Sequence, residues 1–121
     1  MRALVIDDSL VMRKMIGKIL KQVGYEPTDA KNGEDGLAVL AAGGVDLCMV
    51  DWNMPVMDGL AFIKAVRADP RHAGLPVVMV TSEAEVERAA EAMAAGATAY
   101  IVKPFDADTV RGTLQGLGVA A

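Results

Sequence analysis

The 121 residues carry 12 Lys and Arg against 16 Asp and Glu, and 53% of them are hydrophobic, so a single domain over residues 1–121 with an ample core is expected. The net charge of −4 and the scattered bases argue against a nucleic-acid footprint. No apolar stretch approaches the roughly 18 residues that span a bilayer, and the run in MRALVIDD falls short of a signal-peptide core of about 7–15, so a cytoplasmic location without membrane attachment is expected.

Ala3 to Ile6 reads as a first strand, and from Leu10 the spacing of Met12, Ile16, Ile19, Leu20 and Val23 predicts a helix stopped by Gly24. A weaker strand, Tyr25 to Ala30, precedes a helix over Glu34 to Ala42 that Gly43 and Gly44 end. Val45 to Val50 is almost continuously apolar, as in a strand covered on both faces; Cys48 within it reads as a small buried hydrophobe. After a loop, a helix runs from about Leu60 to Ala68, closed by Asp69 and Pro70.

Val77 to Val80 is the fourth strand, followed by a helix with a stripe of Val86, Ala89, Ala90, Met93 and Ala94. Thr98 to Val102 and a helix from about Asp106, with Val110, Leu114 and Leu117 inward, complete the fifth unit. Regular alternation of this kind predicts one parallel α/β sheet with helices on both faces. Pro27 cannot donate to a ladder and sends the second strand to an edge, which fits the flavodoxin-like, doubly wound (βα)5 order 2-1-3-4-5.

Ligands of such sheets bind beyond the carboxyl ends of the strands. The first polar residues there are Asp7 and Asp8, then Asp51, then Thr81, then Lys103. Singly, Asp8 or Ser9, Thr81 or Ser82, and Asp58 could be helix caps; the repetition at one end of successive strands points to a site. Two carboxylates about 4 Å apart repel by roughly 4 kcal/mol at an effective dielectric near 20. Lys103 offsets part of that and a divalent cation more. So few protein oxygens suit Mg²⁺, which keeps its waters, better than Ca²⁺, and no Cys/His cluster recommends zinc.

A carboxylate beside Mg²⁺, facing a hydroxyl and an ammonium, is equipped to accept a phosphoryl group. His72, the only histidine, lies in the DPRHAGLP loop and reads as a surface residue. The aspartates at 7 and 8, DWNMPVMDG from 51, VTSEA from 80 and AYIVKPF from 99 together resemble the receiver domain of bacterial two-component response regulators, in particular the single-domain, CheY-like chemotaxis type. The resemblance covers the whole chain.

It implies a phosphorylated signalling protein rather than an enzyme, in which Asp51 takes a phosphoryl group from a sensor histidine kinase. Asp8, Asp51 and the Asn53 backbone carbonyl would ligate Mg²⁺, with Asp7 acting through water. Lys103 would be the cationic partner of the phosphate, Thr81 the hydroxyl that moves toward it and Tyr100 the aromatic switch that follows. Lys103 and Pro104 would be joined by a cis peptide, and Asn53 and Glu83 would tune hydrolysis toward a short-lived phosphoryl state. The output surface would be the fourth helix, fifth strand and fifth helix, docking on a target such as the flagellar motor switch.

The sequence departs from motor-binding members there: the fourth helix carries Glu83, Glu85, Glu87 and Glu91 against Arg88, and the last helix contains Gly112 and Gly116. A phosphate sink without an output partner is therefore an alternative. A Mg²⁺-dependent small-molecule phosphatase would want a second acid two residues beyond the nucleophile, where Asn53 stands.

Overall fold

The computed structural model describes residues 1–52, 54, 56–82 and 87–117. Five strands, β1 (Arg2–Ile6), β2 (Glu26–Ala30), β3 (Leu47–Asp51), β4 (Val77–Ser82) and β5 (Ala99–Lys103), alternate with helices α1 (Leu10–Gln22), α2 (Gly33–Ala41), α3 (Gly59–Ala68), α4 (Ala89–Ala95) and α5 (Ala107–Gly116). All strand pairs are parallel and the order is β2-β1-β3-β4-β5, as expected from the sequence. Pro27 sits on the edge strand, opposite Ala3, where no neighbour needs its missing N–H.

Because strand side chains alternate between faces, the central strands feed two cores. Leu4, Ile6, Cys48 and Val50 pack with Leu40, Phe62, Ile63, Val66 and Ala92 of α2, α3 and α4. Ala3, Val5, Met49, Val78 and Val80 pack with Ile16, Ile19, Leu20, Val110 and Leu114 of α1 and α5. Every residue of β3 is buried, which explains its unbroken apolar run. A side chain such as Phe62, fully buried, contributes about 2–3 kcal/mol by leaving water.

Side-chain caps start four of the helices. Ser9, Asn32, Asp58 and Asp106 accept from the backbone N–H groups of Met12, Asp35, Ala61 and Thr109, filling donors that a helix start leaves open. α4 begins at Ala89 behind Arg88, which makes no side-chain cap bond. Thr81 and Ser82 prolong β4, opposite Val102 and Lys103. β3 starts at Leu47 rather than Val45 because Asp46 is engaged with Arg2, exchanging a backbone bond of 2.8 Å and accepting the Arg2 amide on its carboxylate at 2.8 Å. The expectations on Asn53, Glu83, Glu85 and Val86 lie outside the described residues. Among the described residues no helix is long and apolar enough to cross a membrane.

Candidate functional site

Register decides what meets at the carboxyl edge of the sheet. Ile6 pairs with Val50, so Asp7 and Asp51 arrive level on adjacent strands. Asp51 pairs with Val80, which puts Thr81 one residue beyond it, and Ser82 pairs with Lys103 on the next strand. Asp7, Asp51 and Thr81 are the buried polar residues of the described chain, at 1%, 7% and 1% exposure, whereas Asp8 is exposed. One carboxylate oxygen from each of Asp7, Asp8 and Asp51 lies within 4.8 Å of the others. Sequence spacing thus located the cluster, and the structure brings its members together.

The charge within this cluster is only partly balanced. The Lys103 ammonium donates to Asp51 Oδ1 at 3.2 Å and stands 3.8 Å from Asp7 Oδ2, too far for a hydrogen bond. Among the described residues, Asp7 Oδ2 is buried without a hydrogen-bond partner. Burial raises the Asp51 pKa to about 6, with the neighbouring Asp7 charge adding to the rise and Lys103 opposing it. Burial likewise raises Asp7, against the pull of the Ser9 amide and Lys103. An orphaned carboxylate oxygen among three clustered acids is what a hard divalent cation would satisfy, so the donor set fits Mg²⁺.

Several supports escaped the sequence reading. The Ser9 amide donates to Asp7 Oδ1 at 2.9 Å while the Ser9 hydroxyl caps α1, so one residue starts the helix and aims the acid. Arg13 donates to the Asp7 carbonyl at 2.8 Å and to Asp29 at 2.8 Å, fixing the strand end against β2. Gly59 donates its amide to the Trp52 carbonyl at 2.9 Å, and a Cβ there would come within 2.6 Å of the Asp51 carbonyl oxygen. These contacts join residues of different elements and loops and carry no periodic signal. Only a glycine following the Asp58 cap hinted at a close approach.

The remaining predicted residues fall as follows. The Thr81 hydroxyl donates to the Ser82 carbonyl at 3.3 Å. Tyr100 is 43% exposed on the edge strand β5. The Lys103–Pro104 peptide is cis. His72 closes a short 3₁₀ turn, Pro70–His72, away from the cluster, and burial pushes the Cys48 thiol up to about 12, which leaves it an inert core group.

A family model described as the response regulator receiver domain matches residues 3–115. The chain belongs to that receiver family. Its curated relatives include the chemotaxis protein CheY of Pseudomonas aeruginosa, 40% identical over 95% of this receiver and 94% of that protein. The chemotaxis protein CheY-3 of Vibrio cholerae is 41% identical over 95% of this chain and 89% of its own. Among solved structures, the Vibrio cholerae chemotaxis protein CheY4 matches with a TM-score of 0.88 at 39% identity, covering 96% of this receiver and 97% of that chain. Receivers are signalling proteins rather than enzymes in the usual sense.

Proposed function

We propose that this receiver is a phosphorylation-controlled signalling domain over residues 1–121, working in the cytoplasm and in chemotaxis, with Asp51 as its phosphoacceptor. The observation that carries the reading is a buried strand-end carboxylate with a lysine ammonium at 3.2 Å and two further acids within 4.8 Å. An Asp51 oxygen attacks the phosphorus of a phosphohistidine on a sensor histidine kinase. The new O–P bond forms as the N–P bond breaks, and the departing imidazole takes a proton from water. Water later attacks the acyl phosphate, releasing inorganic phosphate and restoring the carboxylate.

Lys103 balances charge on the transferred group and Thr81 offers it a hydroxyl. Asp8 and Asp51 would hold Mg²⁺ directly together with the Asn53 carbonyl, and Asp7 through water. Bound there, the cation supplies neutralisation of phosphoryl oxygens. Asn53 and Glu83 are proposed to set the lifetime of the adduct. Phosphorylation adds about −1.5 to −2 charge, and it shifts a two-state surface only through what differs between the states. Thr81, Tyr100 and Lys103 are the proposed readers of that difference, and the face of α4, β5 and α5 is the proposed output, docking on a protein target such as the flagellar motor switch.

One observation favours a phosphate sink instead: α4 presents exposed Glu87 and Glu91 around its start, unlike the basic start of motor-binding members. A pull-down that captures no target selectively in the phosphorylated state would support the sink. The central claim is tested by incubation with Mg²⁺ and acetyl phosphate, which should give an acid-stable, base-labile adduct in the wild type and none in Asp51→Asn. A full-yield adduct on Asp51→Asn would overturn it.

A further inference from the structure

Trp52 directly follows the phosphoacceptor, is the single tryptophan of the chain, and is only 5% exposed. Its backbone has little freedom. The Trp52 amide donates to the Val80 carbonyl at 3.3 Å and its carbonyl accepts from Gly59 at 2.9 Å. Gly59 also leaves no space for a side chain against the Asp51 carbonyl. A disturbance at Asp51 is therefore not absorbed by the main chain of the next residue. What the Trp52 ring offers outward is met by Arg88, whose guanidinium carbon lies 5.5 Å from the ring centroid.

Arg88 is the residue at the start of α4. It has helical φ and ψ of −79° and −12°, and its side chain makes no cap bond. It forms no ion pair with a carboxylate among the described residues, although Glu87 and Glu91 are near it in sequence. An exposed arginine whose guanidinium lies over an aromatic face is held there by the ring quadrupole. Fixed backbone on one side and a helix start on the other make the Trp52 ring the described aromatic link between the phosphoacceptor segment and α4.

We infer that Arg88 is a positioning residue: its charge over Trp52 ties the first turn of α4 to the phosphoacceptor segment, so that the state of Asp51 is felt at the acidic helix. The inference rests on Asp51 being the phosphoacceptor. The contact is charge-dependent, so Lys should preserve it and an apolar side chain of similar length should not. Trp52 emission serves as the readout, because phosphorylation places new negative charge one residue from a ring that carries a cation.

The test reads two quantities on the full chain with Mg²⁺: adduct yield with acetyl phosphate by intact mass, and the change in Trp52 emission when the adduct forms. The variants are Arg88→Met, Arg88→Gln as a second charge-free substitution, and Arg88→Lys, each with its far-UV circular dichroism checked against the wild type. Arg88→Met and Arg88→Gln should form the adduct at the wild-type yield, yet show an emission change smaller by about two- to fivefold. Arg88→Lys should restore at least half of the change. An unchanged emission response in both charge-free variants overturns the inference. So does a lysine variant that behaves like the methionine one, or a wild-type adduct that leaves emission untouched. Absence of any adduct on the wild type would instead remove the phosphoacceptor reading itself.

Discussion

At the amino end of the sheet, Arg67 donates to the carbonyls of Gly96 and His72 at 2.8 Å each and to the Thr98 hydroxyl at 3.3 Å, while Thr98 accepts the Val77 amide at 3.0 Å. At the carboxyl end, among the described residues, Asp7 keeps a buried oxygen with no hydrogen bond, and Asp51 shares a single ammonium with it. Both ends place ionic groups on the same layers of packed strands. One is satisfied by neutral dipoles that hold α3, α4 and β5 together. The other keeps like charges crowded with one ammonium between them. The contrast separates polar groups satisfied within the fold from a cluster that the described chain satisfies only in part.

Breaking the satisfied end should have the largest effect. Arg67→Ala strips partners from two carbonyls and a hydroxyl and should lower unfolding free energy by about 2–4 kcal/mol, measured by urea denaturation, while adduct formation from acetyl phosphate persists. A loss of adduct with stability unchanged would erase the contrast.

Relieving the crowded end should act in the opposite direction. The folded Asp51 pKa of about 6 lies above its ordinary 3.8, so between those values the folded state holds more protons than the unfolded one. Stability therefore falls as pH rises through that window, and the penalty is complete above about pH 6. In metal-free protein Asp51→Asn should gain about 1–3 kcal/mol at pH 7.5, with the gain vanishing below about pH 4. Added Mg²⁺ should shrink the difference by stabilising the wild type. A variant less stable than the wild type at pH 7.5 without metal would contradict the reading of crowded charge.

Two smaller substitutions sharpen where strain resides. Val56, five residues beyond Asp51, has φ of +70° and is 76% exposed, so its branched side chain occupies positive-φ backbone without packing in return. Val56→Asn should stabilise by about 1 kcal/mol; a loss would show that the side chain has a partner in solution. Gly112, exposed inside α5 with open space where a Cβ would go, should give about 0.5–1 kcal/mol as Gly112→Ala. Neither change should alter adduct yield.

The sequence exposed the fold because both signals it relied on are local. Helical stripes and apolar runs follow from how each element buries one face or two, and Pro27 excludes its strand from the sheet interior by lacking a donor; the stripe read for the fourth helix failed, because α4 buries Ala89 and Ala92 and exposes Ala90, Met93 and Ala94. The site was legible as a set of strand-end residues for the same reason: in a parallel sheet, the position after each run has a known place. What escaped was side-chain contact between different elements. Nothing in the pattern announces that Arg13 braces the Asp7 carbonyl, that Arg67 joins α3 to the turn before β5, or that Arg88 covers Trp52. Element ends were off where side chains compete with the ladder, as at Asp46, or where pairing to Val102 and Lys103 carries β4 past its apolar run.

Gly59 touches no proposed ligand and would pass as a loop residue, yet the space its missing side chain leaves is taken by the main chain that presents Asp51. Any other residue would have to push that carbonyl away and carry the acid with it. Evolutionary drift at this position is thus closed by geometry rather than by chemistry, and a saturation library should reveal it as intolerant as the acidic residues themselves.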